Sequence, residues 1–476
     1  MIALSVAEVA KITGGTLAGY TGAEATVTGP VVIDSREAAP GALFAALAGE
    51  RVDGHDYAAA AAAQGAAAIL AARPLPEAGA PVITVSDVTL ALGLLARAVL
   101  DRLPRATVVG ITGSSGKTST KDLTAQVVEH LGPTVAPEGS LNNEIGLPLT
   151  VLRADENTRY LVLEMSARGI GHIAYLTGIA PPRIGAVLNV GRAHAGEFGS
   201  LDAVAKAKGE LVEALPEAAA GGLAVLNADD PNVAGMAPRT RARVVTTSVE
   251  DAGQAGARPA DIRATGITLD DLGRASFTLH LGGATAPVTL QVHGRHHVAN
   301  SLATAAVAAE LGMDLPAIAG ALSAATARSK KRMELTSRPD GVLVVNDAYN
   351  ANPDSTRAAI AALGHLTSTG RRGIAVLGYM AELGEIAAES HFEAGRLAAE
   401  AGAALVVAVG DGAAPVLDGA RATAGWRGET LALPDPRAAV EALRDRVRPG
   451  DVVLVKASKS AGLWEVADGL LAEVPR

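Results

Sequence analysis

The sequence contains no cysteine among its 476 residues. A chain without cysteine has no disulfide scaffold, no thiolate-held zinc or iron–sulfur cluster, and no thiol nucleophile. Any metal ion that the protein uses must therefore be held by oxygen atoms or by imidazole nitrogen. Aromatic residues are also few, at 3%, but the hydrophobic fraction is 49% and charged residues make up only 19%. This balance supplies enough apolar surface for packed cores and argues against a disordered chain.

Long apolar segments and long basic runs are scarce as well. The longest uncharged stretch, residues 57–72, is short for a bilayer and mainly alanine, so it predicts a buried helix followed by a strand and no membrane span. Glu8 and Lys11 interrupt the first residues, which lack the pattern of a signal peptide, and we expect a cytoplasmic protein. A net charge of −9 without basic runs argues against a nucleic-acid partner.

The length of the chain predicts about three domains, because ordinary domains hold roughly 100–200 residues. Short apolar runs and an alanine-rich stretch predict a small N-terminal α/β domain at residues 1–105. In residues 106–327, apolar strands alternate with helical patterns, as in a parallel P-loop-type sheet, and a hairpin is expected around Gly282 and Gly283. A further strand–helix series predicts a doubly wound, Rossmann-like domain at residues 328–476. The expected fold class is α/β.

A glycine-rich turn stands between an apolar run at residues 107–111 and a helical pattern that begins near Lys117. Such a turn directs backbone N–H groups and the positive end of a helix at one point, where phosphate binds. Lys117 is expected to neutralise the β- and γ-phosphates of ATP, and Thr118 to ligate Mg²⁺. The loop is a variant, because Ile111 stands where the general pattern has its first glycine. The expected nucleotide-binding residues of the loop are Gly113, Ser114, Ser115, Gly116, Lys117, Thr118 and Ser119.

Residues 110–120 (GITGSSGKTST) resemble the ATP loop of the Mur ligases, the amide-forming enzymes of peptidoglycan precursor synthesis. Residues 140–148 (SLNNEIGLP), 189–194 (NVGRAH) and 207–210 (AKGE) are similar to further motifs of that family's central domain. The resemblance covers essentially the whole chain. It implies that ATP phosphorylates a peptide carboxylate, and that an amine then attacks the acyl phosphate and displaces inorganic phosphate.

Two C-terminal segments narrow the resemblance within the family. Residues 346–355 (NDAYNANPDS) and 377–384 (LGYMAELG) look most like the member that adds D-alanyl-D-alanine to UDP-N-acetylmuramoyl-tripeptide. That dipeptide and that nucleotide are the expected partners, and the chain is expected to act as a monomer. A related ligase that adds the third residue, a folylpolyglutamate-type ligase and an NTPase without ligase activity remain alternatives. Whether the third residue of the tripeptide is lysine or meso-diaminopimelate stays open.

The resemblance also implies a metal site at the carboxyl ends of the central strands. Glu164, directly after an apolar run, matches a Mg²⁺ ligand, and His194 matches a ligand of a second metal ion. Glu164 stands where α/β sheets present ligands, with a solvated strand-end carboxylate as the alternative, whereas His194 without the family would be interpreted as ordinary polar surface. Lys208 matches a lysine that is carbamylated in the family and so becomes an acidic ligand, although Lys206 lies close by. The expected catalytic residues are Lys117, His194 and Lys208, and the expected metal ligands are Thr118, Glu164, His194 and Lys208.

For the nucleotide, the resemblance implies adenine contacts from Asn189 and Asn300, since an amide both donates to and accepts from a purine edge. Arg332 matches an arginine that reaches the phosphates from the last domain, and Asp347 and Tyr349 match nucleotide contacts after a strand. Because Lys117 and Arg332 lie in different expected domains, domain closure is expected to bring both onto ATP.

Three further segments are expected to contact substrates. Ser35 and Arg36 resemble part of the uridine-nucleotide site, although Asp-Ser-Arg after a strand is often an ordinary turn. Asn142 and Asn143 are expected to hold the muramoyl or peptide end. The roles of two more asparagines are left undivided between adenine, ribose and the incoming dipeptide; they are Asn350 and Asn352.

Overall fold

Helices and mainly parallel strands alternate along the chain in a computed structural model that describes residues 1–18, 25–49, 52–191, 198–249 and 260–472. These residues contain sheets of five, nine and six strands and one pair of short strands. The three larger sheets follow one another in sequence. The predicted α/β fold class is confirmed. Within the described ranges, no helix is both long and apolar enough to cross a membrane.

The first large sheet is parallel except for its first strand, which runs antiparallel to its neighbour. In order across the sheet, its strands are Thr16–Ala18, Val82–Thr84, Ala68–Ala71, Leu43–Ala45 and Val31–Val32. The pair of short strands is Leu4–Ser5 and Thr26–Val27. The α-helices are Val6–Thr13, Ala58–Ala63 and Val88–Asp101, and short 3-10 helices occupy Ser35–Glu37 and Gly54–Tyr57. The helix and the buried strand predicted for residues 57–72 are confirmed, but the helix is not buried: only Ala58 and Ala61 face the core, because its other face is turned to solvent.

The second sheet is parallel over its first seven strands and ends in an antiparallel hairpin. In order across the sheet, its strands are Thr134–Val135, Tyr160–Glu164, Thr107–Thr112, Ile184–Val187, Leu223–Asn227, Arg243–Val249, Ile262–Leu269, Arg274–Leu281 and Ala284–His293. The last two strands are joined through Gly282 and Gly283, so the predicted hairpin is confirmed. The strand order reverses beside Thr107–Thr112, and at such a switch point the carboxyl ends of parallel strands open a ligand crevice.

Helices cover both faces of this sheet. They are Lys117–Val128, Gly146–Val151, His172–Ile179, Leu201–Glu213, Pro231–Ala234, His297–Glu310 and Leu315–Ala324, with 3-10 helices at Ala218–Ala220 and Ala237–Arg239. Helix Val88–Asp101, which Asp87 caps by accepting from the backbone N–H of Leu90, belongs to the same core as the second sheet. Its buried residues Leu92 and Leu95 share one apolar cluster with Leu147 and Leu176.

The third sheet is parallel except for its first strand, which pairs antiparallel with the second. In order, its strands are Glu334–Ser337, Leu343–Asp347, Val452–Lys456, Gly373–Gly378, Leu405–Val409 and Glu429–Leu433. Its α-helices are Pro353–Thr367, Ala387–Glu400, Pro415–Ala422, Pro436–Arg444 and Trp464–Ala472, and its 3-10 helices are Gly384–Ile386, Asp411–Ala413 and Lys459–Ala461. The central strands are buried on both faces, which explains their continuous apolar runs.

Residues 326–329, which lead from the second sheet to the third, lie along helix Lys117–Val128. The Gln126 amide donates to the Thr326 carbonyl at 2.9 Å and accepts from its N–H at 3.1 Å. Asp122 Oδ2 accepts from the N–H of Ser329 at 3.0 Å. Just beyond the helix, Glu129 accepts two hydrogen bonds from Arg328, at 2.6 and 2.5 Å. This connecting segment, residues 326–329, is therefore fastened along the side of the helix that follows the glycine-rich turn.

Candidate active site

The glycine-rich turn connects strand Thr107–Thr112 to helix Lys117–Val128, as predicted. Gly116 has a φ of +80°, a left-handed conformation that favours glycine. A Cβ atom at this position would lie 2.8 Å from Asn300 Oδ1. Glycine therefore lets the turn approach the helix that carries Asn300.

The turn is held by the residues that follow the neighbouring strand. Asn189 Oδ1 accepts from the N–H of Ser115 at 2.9 Å, and Asn189 Nδ2 donates to the Ser115 carbonyl at 3.1 Å. The Ser114 hydroxyl donates to the Gly191 carbonyl at 3.1 Å and accepts from its N–H at 2.8 Å. Both ends of the Asn189 amide are thus engaged by the turn. The adenine contacts expected from Asn189 and Asn300 stay predictions.

Glu164 is the last residue of its strand and is only 1% exposed. Its Oε2 accepts from the Thr118 hydroxyl at 2.9 Å. Its Oε1 accepts from the Ser140 hydroxyl at 3.0 Å and from Asn142 Nδ2 at 2.6 Å. A carboxylate and a hydroxyl therefore meet beside the start of the helix, and oxygen atoms of this kind are the ligands that Mg²⁺ prefers.

Two lysines of this region, Lys117 and Lys208, lie close enough for their charges to interact. Lys117 Nζ donates to the Gly113 carbonyl at 2.8 Å, and burial lowers the pKa of Lys117, while the charge of Glu164 acts in the opposite direction. Lys208, on helix Leu201–Glu213, is 3% exposed. Burial, followed by the charge of Lys117, holds the pKa of Lys208 well below its usual value. Lys206 on the same helix is exposed, so the two lysines left open by the sequence differ sharply in surroundings.

An arginine just before the first strand of the third sheet reaches the glycine-rich turn, which we call the phosphate turn. Arg332 Nη2 donates to the Thr118 hydroxyl at 3.1 Å, and the guanidinium lies 4.3 Å from the centre of the Tyr349 ring. Arg332 Nε is buried and finds no hydrogen-bond acceptor within the part of the chain that the structure describes. A planar cation stacked on an aromatic face with a free donor is suited to an anionic oxygen.

The loop after strand Leu343–Asp347 closes over the same turn. Asp347 is the final residue of that strand, whereas the sequence predicted that it follows the strand. Asn352 Nδ2 donates to the Ser114 carbonyl at 3.3 Å, and its Oδ1 caps helix Pro353–Thr367 by accepting from the N–H of Ser355 at 2.8 Å. The turn is therefore contacted by both Arg332 and Asn352 from the last sheet.

These groups surround one cleft of about 810 Å³ between the second and third sheets. The expected site residues that line it are Ser114, Ser115, Gly116, Lys117, Thr118, Ser119, Asn142, Asn143, Glu164, Asn189, Asn300, Arg332, Asp347, Tyr349, Asn350 and Asn352. Gly113 and Lys208 contribute no lining surface, although Gly113 accepts the Lys117 hydrogen bond. His194 lies outside the described residues.

Ser35 and Arg36 do not line this cleft. Ser35 is buried in a 3-10 helix of the first sheet's region, and the Arg36 side chain is 86% exposed. Arg36 is paired with Asp34, whose pKa its hydrogen bonds lower to about 2. The assignment of these residues to the uridine nucleotide stays a prediction.

The chain is similar to known proteins along nearly its whole length. Three family models match it in succession: the Mur ligase family catalytic domain at residues 30–99, the Mur ligase middle domain at 111–308 and the Mur ligase glutamate ligase domain at 331–459. The UDP-N-acetylmuramoyl-tripeptide–D-alanyl-D-alanine ligase of Mycobacterium bovis is 49% identical over 99% of this chain and 98% of its own. The chain belongs to the Mur ligase family.

Other known proteins are also similar to this Mur ligase over nearly the whole chain. The enzyme of the same name from Escherichia coli is 37% identical over 99% of both chains. Among solved structures, MurF from Acinetobacter baumannii is 29% identical and superposes with a TM-score of 0.85 over 99% of both chains. The MurF ligase from Thermotoga maritima in complex with ADP is also 29% identical, with a TM-score of 0.79 over 94% of this chain and 98% of that chain.

Among the polar residues of this Mur ligase cleft that sequence reasoning did not assign to the site are Ser140 and Lys456. Ser140, which donates to Glu164, carries no signal by itself, since serine is common in loops. Lys456 is the last residue of strand Val452–Lys456, and its side chain is 1% exposed. A signal was present here, because a charged residue that ends an apolar parallel strand stands where α/β sheets present ligands. The same reasoning had singled out Glu164.

Proposed function

We propose that this Mur ligase joins D-alanyl-D-alanine to UDP-N-acetylmuramoyl-tripeptide at the expense of ATP, which yields ADP and phosphate. The carboxylate of the tripeptide attacks the γ-phosphorus of ATP, and the bond to the ADP oxygen breaks. The amine of the dipeptide then attacks the acyl carbon, loses a proton and displaces inorganic phosphate. The observation that carries the proposal is that Arg332 and Asn352 of the last sheet contact the phosphate turn of the second sheet.

Two cations and a helix start stand where negative charge develops in this reaction. Lys117 and Arg332 are assigned to the β- and γ-phosphates, because both are at the turn and Arg332 retains a free buried donor among the described groups. Asn300, with Tyr349 and Asp347 nearby, is assigned to the nucleoside. Asn189, whose amide also holds Ser115, is proposed with Asn300 for the adenine.

Mg²⁺ fits the oxygen atoms at the turn. Thr118 and Glu164 lie 2.9 Å apart, and the described residues contain no preformed cluster of three or more histidine, aspartate or glutamate side chains. The protein would thus supply few ligands and the phosphates would complete the shell, as is usual for Mg²⁺. When bound, the ion neutralises phosphate charge. His194 remains the proposed ligand of a second ion.

Lys208 is proposed to carry a carbamate. Carbamylation needs an uncharged amine, and burial beside Lys117 lowers the pKa of Lys208 and so favours that form. Addition of carbon dioxide to the amine, with loss of a proton, replaces a repelled cation by an anion next to Lys117. The carbamate would supply oxygen atoms as metal ligands. It would also remove the unfavourable positive charge of a buried lysine beside Lys117.

The remaining assignments concern the substrates and the division of the chain. Ser35 and Arg36 are proposed to bind the uridine nucleotide, with Asn142 and Asn143 at the peptide end. Asn350 and Asn352 are proposed for the dipeptide side. We also propose domains at residues 1–105, 106–327 and 328–476, and a monomeric protein of the cytoplasm.

The decisive experiment is mass analysis of the product in an assay that also measures phosphate release. Phosphate is expected only when ATP, Mg²⁺, UDP-N-acetylmuramoyl-tripeptide and D-alanyl-D-alanine are all present, with a product equal to both cosubstrates minus one water. Tripeptides that end in lysine and in meso-diaminopimelate are tested side by side. Phosphate release without the dipeptide would indicate an NTPase, and a product formed from a UDP-dipeptide and a free diamino acid would indicate addition of the third residue.

A further inference from the structure

Lys456 is a fully buried cation at the carboxyl end of the strand beside Leu343–Asp347. Its Nζ donates to Asp347 Oδ2 at 2.7 Å, to the Asn350 carbonyl at 2.8 Å and to the Asp347 carbonyl at 3.4 Å. An ammonium group has three protons to donate, so these acceptors match its full capacity. Burying a charged ammonium group costs folding free energy unless the charge is paired. We therefore infer that the surrounding loop is arranged to pair the charge of Lys456.

The carboxylate of Asp347 has a second partner. Its Oδ1 accepts from the backbone N–H of Met333 at 3.1 Å. Two residues further along, the N–H of Tyr349 donates to the Lys331 carbonyl at 3.2 Å. The loop that Lys456 holds is therefore bonded to the residues on both sides of Arg332.

Arg332 stands between two residues in an unfavourable backbone conformation. Lys331 has a φ of +60° and Met333 a φ of +51°, both in the left-handed region that residues other than glycine rarely adopt. Such conformations persist only when surrounding contacts hold them. Asp347 accepts from the Met333 N–H, and the Tyr349 N–H donates to the Lys331 carbonyl. The Lys331 N–H in turn donates to Glu334 Oε2 at 2.8 Å.

We propose that Lys456 is a positioning residue of the nucleotide site, which acts through Asp347 and the Asn350 carbonyl to hold Tyr349 against Arg332 and Arg332 against Thr118. The order of contacts runs from Lys456 to Asp347, from Asp347 to the Met333 backbone, and from there to the adjacent Arg332. Lys456 itself needs no contact with the substrates for this role. The inference rests on the proposed function only in that Arg332 serves the terminal phosphate of ATP.

The test replaces the charge by an apolar side chain of similar length, in Lys456→Met. Loss of the Asp347 link frees the left-handed residues to relax, and Arg332 moves away from Thr118. We expect kcat to fall by about 100-fold, because a misplacement of about 1 Å in a catalytic arrangement costs this much. In an Arg332→Ala background, the same substitution should lower kcat less than about threefold further, since the two changes remove one shared interaction. If the fold-losses in kcat of the two single variants multiply in the double variant, the proposal is wrong.

Arg372→Met is the matched control. Arg372 Nη1 donates to buried Asp451 at 3.2 Å, at the opposite end of the strand that Lys456 terminates. Breaking this ion pair should lower the melting temperature while kcat stays within about twofold of wild type, because additivity holds for distant sites. If Lys456→Met does not fold, Lys456→Gln is measured in the same way, since its amide still donates to one acceptor. A folded variant with wild-type kcat contradicts the inference.

Nucleotide binding separates this inference from the proposed function. In Lys456→Met, the Kd of the ATP analogue AMPPNP should rise by about tenfold more than that of ADP, because one charge-assisted contact with the terminal phosphate is lost. Equal changes in the two constants would mean that Lys456 only supports the fold. If the selective change appears and the wild-type protein forms no ligation product, the proposed function fails and the positioning role stands.

Discussion

Substitution of Gly116 by alanine is expected to weaken nucleotide binding through a neighbouring side chain. The residue has a φ of +80°, and its added Cβ would lie 2.8 Å from Asn300 Oδ1. This oxygen is the end of a side chain that can rotate, so the amide moves and the backbone stays in place. Gly116→Ala thus displaces the amide that we assign to the adenine without deleting it.

Two separate costs follow from this geometry. Alanine in the left-handed region costs roughly 1–2 kcal/mol of folding free energy. Displacing the Asn300 amide removes about one hydrogen bond to the nucleotide, worth about 1 kcal/mol, which corresponds to about fivefold in Kd. The first cost should appear as a lower melting temperature and the second as weaker binding of ADP.

Titration calorimetry with ADP and a thermal melt measure the two costs separately. Gly14→Ala is the control, because Gly14 has a φ of +65° and an added Cβ there meets no atom within 4 Å. It should lower the melting temperature and leave the Kd of ADP unchanged. In an Asn300→Ala background, Gly116→Ala should no longer weaken ADP binding, since the displaced group is gone. A fivefold loss that persists in this background would refute the steric argument.

Three other changes test the site. Glu164→Gln keeps the shape but removes the buried charge, and should lower phosphate release by about 100-fold with a higher Mg²⁺ requirement; unchanged Mg²⁺ dependence would contradict the assignment. Asn352→Ala removes a helix cap and the contact to Ser114, so it should lower the free energy of unfolding by about 1 kcal/mol and raise the KM for ATP. A change in stability alone would mean that Asn352 acts only as a helix cap. After incubation with ¹³C-bicarbonate, wild-type protein should show a carbamate NMR signal that Lys208→Met lacks; a wild-type spectrum without it would exclude the modification.

The sequence predicted the repeated strand–helix pattern because buried parallel strands need continuous apolar runs and their connections need turn residues. The phosphate turn was predictable for a related reason: its glycine, lysine and threonine follow one strand within a few residues. The hairpin around Gly282 and Gly283 also followed from local periodicity. Each of these features depends on residues that are near neighbours in the chain.

Contacts between distant segments were not predictable in the same way. The engagement of Asn189 with Ser115 joins two loops, and the choice between Lys206 and Lys208 depends on which face of a helix is buried. Strand Leu343–Asp347 ends two residues beyond the apolar run 342–345 that predicted it, because Asn346 and Asp347 are still paired within the sheet, Asp347 to Lys456. Only the fold reveals that these two charged residues share an edge.

The connecting segment, residues 326–329, has a practical consequence for dissecting this enzyme. Its partners Asp122, Gln126 and Glu129 lie on or just beyond the helix whose first residues form the phosphate turn. In a chimera joined immediately after residue 327, residues 328 and 329 would come from the foreign domain. Their hydrogen bonds to Glu129 and Asp122 would then be lost. Domain exchange should therefore succeed more often when the junction is placed beyond Ser329, where the transplanted part brings Arg332 with its own supporting loop.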